Sequence, residues 1–397
     1  MKQPGRRGRA ALSLAGVVLL NACAAIHRPP ATIPSLLADA EAAKAGVRAS
    51  LDSVVERLAR RSLRRDTLDI LLLSGGGQTG AYGAGFLRGW RERTSDPLPK
   101  FDLISGVSTG ALQAPFVLLG TPQALDTLAL LYRQSAERIA PSIDWFFWLR
   151  RTGGLVKADR LRRTIETVMD DTMATAMRGE FGAGRQLLIG TSDMDLGTQH
   201  AWDAADVLGT TAAGLADLHR VLLTSAAIPT IFPPVILDRH VHADGGVLGN
   251  IMPVLDLAQY EQLARRRQSM GDTTPLVVRV YLMLNIWPLA PPLVVKPSSR
   301  SAMSQRTLVT LFFSLQQQQI ERLRLLAHVT SREVPGLRME LRVTYVPNAM
   351  ATEDGAQALF NGPFIRRVEQ FGYDRARGDA PWDIVERPAA PVGTGRN

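Results

Sequence analysis

Leu68-Asp69-Ile70-Leu71-Leu72-Leu73-Ser74-Gly75-Gly76-Gly77 is a short apolar run that stops on a serine and three glycines. Apart from Asp69, residues 68–73 are all aliphatic and show no polar alternation. That is the pattern of a strand buried on both faces, as in a parallel sheet. The stretch that follows, Gly80-Ala81-Tyr82-Gly83-Ala84-Gly85-Phe86-Leu87, is rich in small residues and reads as a helix packed closely on a neighbour. Phe101 to Ile104 reads as a second strand ending at Ser105-Gly106, and helical periodicity resumes from Ala111 to Leu119. Two glycine motifs, Ser74-Gly75-Gly76-Gly77 and Gly106-Val107-Ser108-Thr109-Gly110, thus fall at strand-to-helix turns, where open α/β sheets bind ligands.

The theme continues downstream. Gln186 to Gly190 and Val277 to Leu284 read as strands, Val235 to Leu237 and His240 to Ala243 as a hairpin, and Leu341 to Tyr345 as a last strand. A long helix is expected over 304–329, its buried stripe formed by Leu308, Leu311, Phe312, Leu315, Ile320, Leu323 and Leu326. A final helix is expected over 364–371, and from Gly378 the chain is rich in Pro, Gly and Arg and reads as loose. Alternating strands and helices predict one three-layer α/β/α domain with a mostly parallel central sheet over residues 66–377, followed by a flexible tail over 378–397. Residues 23–65 read as a tether with one or two helices, and Arg60-Arg61 and Arg64-Arg65 as a solvated face.

The chemistry comes from three segments in order: the first glycine turn, the serine motif, and Asp244-Gly245-Gly246. A serine hydroxyl is a poor nucleophile unless a base takes its proton and the oxygen is exposed. Gly-x-Ser-x-Gly meets the geometric need, with Gly106 and Gly110 allowing a turn too tight for side chains and Ser108 at its tip. Read alone, the motif is equally a glycine-rich turn with Ser108 as a helix cap. Gly75, Gly76 and Gly77 after a strand can aim N–H groups at an oxyanion, and one such donor is worth roughly 2.7–4 kcal/mol. No lysine followed by Ser/Thr, and no dinucleotide fingerprint, accompanies this turn, so a nucleotide site is disfavoured. The base is either Asp244 itself or His242, which shares a strand face with Asp244 and could complete a triad. His27, His200, His219, His240 and His328 read as surface or core residues; no metal-ligand spacing occurs and no metal or cofactor is expected.

The chain has 397 residues, 46% of them apolar, and a formal charge of +9. Its cations are scattered and not interleaved with aromatics, which argues against a nucleic-acid partner. Lys2, Arg6, Arg7 and Arg9 precede an apolar run from Ala10 to Leu20 that is too short to span a bilayer, so residues 1–22 read as a signal peptide. Cys23, the sole cysteine, follows directly. Its place resembles the lipobox of bacterial lipoproteins, although Asn21 is unusual there, and acylated Cys23 would anchor the chain to a membrane. Trp145-Phe146-Phe147-Trp148 reads as core, with a lid beside the site as the alternative.

Taken together, Gly75-Gly76-Gly77-Gln78-Thr79-Gly80, Gly106-Val107-Ser108-Thr109-Gly110 and Asp244-Gly245-Gly246 resemble the motifs of the patatin-like phospholipase family. Ser225-Ala226-Ala227-Ile228-Pro229, Phe232-Pro233-Pro234 and His240-Val241-His242-Ala243-Asp244 agree, and the similarity covers roughly residues 67 to 375. The resemblance implies a patatin-like fold and hydrolysis of lipid acyl esters without a metal. It implies a Ser–Asp dyad of Ser108 and Asp244, with Gly75, Gly76 and Gly77 as oxyanion donors. Many members carry Lys or Arg where this chain has Thr79, which puts a strict phospholipid preference in doubt. Acyl transfer through the same acyl-enzyme, and a non-catalytic envelope lipoprotein, are the competing readings. The expected partners are a lipid or phospholipid substrate and a membrane surface, with the envelope, and the outer membrane of a Gram-negative cell in particular, as the expected location; ordinary cleavage after Ala24 would instead leave the protein periplasmic or secreted.

Overall fold

The computed structural model describes residues 28–135, 153–253 and 255–386. The expected signal peptide over residues 1–22, Cys23, His27, the Trp145–Trp148 segment and the last residues of the tail lie outside the described residues.

Nine strands form one sheet. Five of them are parallel and adjacent: β3 (Gln186–Asp193), β2 (Leu103–Val107), β1 (Thr67–Leu73), β7 (Leu276–Leu284) and β8 (Leu337–Tyr345). Antiparallel strands finish the edges: β4 (Thr198–Asp203), β6 (His240–Asp244) and β5 (Val235–Leu237) on one side, β9 (Asp383–Glu386) on the other. The apolar run that opens the sequence analysis is β1, at the sheet's centre. Its side chains alternate between two cores, Leu71 and Leu73 on one face, Leu68, Ile70 and Leu72 on the other. The continuous apolar pattern therefore follows from burial on both faces.

Eleven helices of the described residues flank the sheet: α1 (Ile33–Arg61), α2 (Ala81–Arg91), α3 (Thr109–Leu119), α4 (Pro122–Arg133), α5 (Asp159–Val168), α6 (Asp171–Gly182), α7 (Ala204–Leu208), α8 (Ala212–Ser225), α9 (Leu257–Ser269), α10 (Arg300–Glu333) and α11 (Gly362–Arg377). α2, α3, α4, α8 and α11 cover one face, α1, α9 and α10 the other. The result is the expected α/β/α sandwich. The close neighbour of the small-residue helix α2 is α11: a Cβ on Gly85 would stand 2.0 Å from Glu369 O. In the linker, α1 starts at a capping box of Thr32 and Ser35 and runs as a single helix.

Three expectations are corrected. Arg61 and Arg65 are not a solvated face: both donate to the buried Asp102 carboxylate, at 2.5 and 2.7 Å. Asp102 Oδ2 also accepts the Asp69 N–H at 2.9 Å, so this cluster pins the C-terminal end of α1 to the sheet. The end of the chain is not loose from Gly378, because β9 pairs with β8 and Trp382 is buried. The stripe along α10 is buried only in part: Leu323 is enclosed, whereas Leu308, Leu311 and Leu315 face solvent.

One register feature positions the site. Along a single edge, β3 pairs first with β2 and then with β6, because β2 and β6 end at the same point. Gly190 is opposite Val107, and the next residue, Thr191, is opposite Asp244. The last residues of β2 and β6, which run in opposite directions, thus meet end to end at one peptide of β3.

Candidate active site

Ser108 follows β2 and caps α3 with φ 54° and ψ −124°. Positive φ is costly for a residue with a side chain, and such strain persists where the surroundings enforce it. The flanking glycines explain how. A Cβ on Gly106 would stand 2.6 Å from Gly110 O, and one on Gly110 would stand 2.3 Å from Leu73 O. Only hydrogen fits at either position, so the elbow closes tightly against the end of β1. The Ser108 N–H is held by Ser225 Oγ at 3.0 Å, and that hydroxyl donates onward to Gly190 O at 2.6 Å. Ser225 belongs to one of the secondary sequence blocks, and its work is to fix the elbow.

Ser108 Oγ donates to Asp244 Oδ2 at 2.6 Å, and both residues are buried. The other carboxylate oxygen, Oδ1, accepts the Gly246 N–H at 2.7 Å. Burial pushes the Asp244 carboxyl up to about 6; its bonds with Ser108 and Gly246 partly oppose the shift, and no cation contributes. A carboxylate with that pKa is a far better base near neutrality than an exposed aspartate.

His242 shares the strand face as the period requires, yet it bonds neither Ser108 nor Asp244. Its Nδ1 meets Thr191 Oγ1 at 3.1 Å, and its Nε2 stands 3.9 Å from Asp193 Oδ2. Burial lowers its pKa to about 4, so it is neutral at pH 7. The geometry therefore offers a dyad and no triad. His240 Nδ1 meets Asp193 Oδ2 at 2.7 Å and its Nε2 meets Asp39 of α1 at 3.2 Å. Asp193, His240 and His242 bring ligating atoms within 4.8 Å of one another. The shortest approach is a hydrogen bond, below the about 3.3 Å edge that zinc distances of 2.0–2.1 Å demand of a tetrahedron. The trio clasps the β5–β6 hairpin to α1.

The first glycine turn lies against the elbow: a Cβ on Gly75 would stand 3.0 Å from Ser108 Cβ. The three glycines are not equivalent. Gly75 N–H already donates to Asn250 O, at a long 3.4 Å. Gly76 and Gly77 amides have no acceptor among the described residues, and Gly77, at φ +59°, lines the cavity with Ser108. Thr79 is buried, and its hydroxyl reaches Gly76 O at 2.6 Å and Asn285 O at 2.5 Å. The threonine thus secures the turn from within. Asn285 Nδ2 bonds Ser74 O and Gln113 Oε1, and Gln113 Nε2 bonds Gly80 O. Asn250, Asn285 and Gln113 escaped the sequence reading; only Asn250, six residues after Asp244, stands close enough to a motif to have been noticed.

Ser108 opens onto a cavity of about 130 Å³. Leu112, Phe116, Leu131, Ile165, Met169 and Phe360 are among its walls, which are almost wholly apolar. The arrangement is a buried serine–carboxylate pair, unpaired amides beside it, and a greasy chamber.

A family model described as "Patatin-like phospholipase" matches residues 71–258, a span that holds Ser108, Asp244 and the glycine turn. Residues 71–258 thus correspond to a patatin-like phospholipase domain. The sandwich described above is consistent with the patatin-like α/β/α fold. Among solved structures, VipD from Legionella pneumophila is similar over 79% of this chain and 66% of that one, with 12% identity and a TM-score of 0.33. This chain therefore spans just under two thirds of VipD's length, and no residue-level comparison follows from so low a score. No curated protein sequence matches.

Proposed function

We propose that this patatin-like chain is a serine acyl hydrolase that cleaves lipid acyl esters through a Ser108–Asp244 dyad. The observation that carries the reading is the 2.6 Å hydrogen bond from Ser108 Oγ to Asp244 Oδ2 at the wall of an apolar cavity. In the first half-reaction, Asp244 takes the Ser108 proton while Oγ attacks the ester carbonyl carbon. The carbonyl oxygen becomes an oxyanion, for which the Gly76 and Gly77 amides and the N-terminus of α3 supply positive dipole. Collapse breaks the ester C–O bond, and the leaving alkoxide takes the proton from Asp244. In the second half-reaction, Asp244 deprotonates a water that attacks the acyl-enzyme. The fatty acid leaves and the proton returns to Ser108 Oγ. The cavity accepts the acyl chain, so its walls set chain-length preference.

For localisation we propose the cell envelope, with acylated Cys23 as the anchor and the outer membrane of a Gram-negative cell as the destination. The basic start, the apolar run and the single cysteine support it. A lipid panel digested by the wild type and by Ser108→Ala, read by mass spectrometry, tests the catalytic reading. Release of fatty acid by the wild type alone is the expected result; equal release by both removes Ser108 as nucleophile.

A further inference from the structure

Helical periodicity assigns Leu308, Leu311 and Leu315 to a buried stripe, but nothing in the described chain covers them. They are 68%, 55% and 40% exposed, while Leu323, farther along the same helix, is enclosed. Leu293 and Val294, in the segment leading into α10, are 64% and 99% exposed. From Arg300 to Leu311 no residue of α10 is buried. Spacings of three and four put the three leucines on one helix face, so they form a band and not scattered exposures.

The charge of this region is one-sided. Between Asp272 and Glu321 the sequence holds no acidic residue, but it holds Arg279, Lys296, Arg300 and Arg306. Arg279 is paired with Asp69, and Arg306 donates to Pro291 O. Lys296 and Arg300 are exposed and have no ion pair among the described residues. The band also adjoins the site. Phe312, between Leu311 and Leu315, lies 3.8 Å from where a Cβ on Gly246 would stand, and Gly246 holds the Asp244 carboxylate.

We propose that residues 289–299 and the first four turns of α10 form the surface by which the enzyme seats in an anionic lipid bilayer, presenting the dyad to the interface. The proposal rests on the lipid-ester reading above. Exposed apolar side chains flanked by Lys296 and Arg300, in a stretch of sequence without acidic residues, suit acyl chains beneath anionic headgroups. A second copy is a poorer occupant, because a two-fold contact would set Lys296 and Arg300 against the same cations of the partner. No helix of the described residues is long and apolar enough to cross a membrane, so the helix lies in the interface and does not span it.

The test uses the full chain carrying Cys23→Ser, which removes N-terminal acylation, with an environment-sensitive fluorophore on Leu308→Cys. Vesicles of phosphatidylglycerol should shift its emission to the blue, and phosphatidylcholine vesicles should do so several-fold more weakly. The same dye on Gln268→Cys, near the opposite end of α10, should not respond. Leu308→Glu with Leu311→Glu should slow hydrolysis of vesicle lipid more than tenfold and leave turnover of a soluble short-chain ester within twofold; neither leucine lines the cavity. A dye at 308 blind to vesicles, a lipid-free dimer that buries it, or a double variant that digests vesicles at the wild-type rate would overturn the proposal. The fluorophore arm repeated on Ser108→Ala separates the two readings, since it reports docking whether or not Ser108 is the nucleophile.

Discussion

Replacing Asp244 by asparagine should kill the enzyme and strengthen the protein. The buried carboxyl has a folded pKa of about 6, against 3.8 for the free side chain. A group raised in this way contributes its full stability below the unfolded pKa and loses it as pH rises through the folded one. The unfolded chain ionises first, near pH 4, while the native carboxyl stays protonated. From about pH 4 to pH 6 the wild type therefore loses stability, and above that the loss levels off. About two pH units correspond to ~3 kcal/mol. Asparagine has no charge to bury, and its oxygen can still accept the Gly246 N–H. Urea unfolding of wild type and Asp244→Asn, followed across pH 4.5 to 8.5, isolates this group, because every other titration is common to both. The variant should gain with rising pH, reaching a few kcal/mol by pH 8, while ester turnover disappears. A variant no more stable than wild type at pH 8, or a difference that is flat with pH, would refute the idea of a desolvated carboxylate held ready as a base.

Ser108→Ala should release no acyl group and take up no fluorophosphonate label, at unchanged stability, whereas His242→Gln should keep substantial turnover; the reverse pattern would restore the histidine triad. The kcat/KM profile should fall on the acid side with a midpoint near pH 6, set by protonation of Asp244, and a limb unchanged in position when His242 is replaced would exclude the imidazole as its source. Leu131→Trp, which narrows the cavity, should move the acyl preference to shorter chains. Each excluded methylene is worth ~0.8 kcal/mol, or about a fourfold loss in kcat/KM for the long ester, and an unchanged chain-length profile would place the acyl group elsewhere.

What could be read from the residues alone depended on how local the cause was. β1 and the elbow were legible because a doubly buried strand and a turn without room for Cβ atoms leave local marks. Ser108 and Asp244 were legible as a pair of types, while their contact depends on strand register, which no motif prints. Arg61 and Arg65 misled because their partner, Asp102, is distant in sequence and buried at the sheet, so a basic cluster looked solvated. The stripe on α10 misled in the opposite direction: periodicity shows that an apolar face needs cover without saying that this chain supplies it. Gly75 was grouped with Gly76 and Gly77 because nothing in a run of glycines reveals that one amide is already spent on Asn250. The tail composition hid β9, whose pairing comes from β8 and not from its own residues.

Ser108, directly after β2, and Asp244, the last residue of β6, are set by strands that are not hydrogen-bonded to each other. Their separation is fixed by a single step along a third strand, from Gly190 to Thr191. Lengthening the loops that lead into β2 or β6 leaves that spacing intact, whereas one extra residue inserted in β3 between Leu188 and Thr191 breaks it without touching either side chain. Chain segments can thus be swapped in around the outer edges of this scaffold to accept new acyl donors, provided that one interior stretch keeps its count.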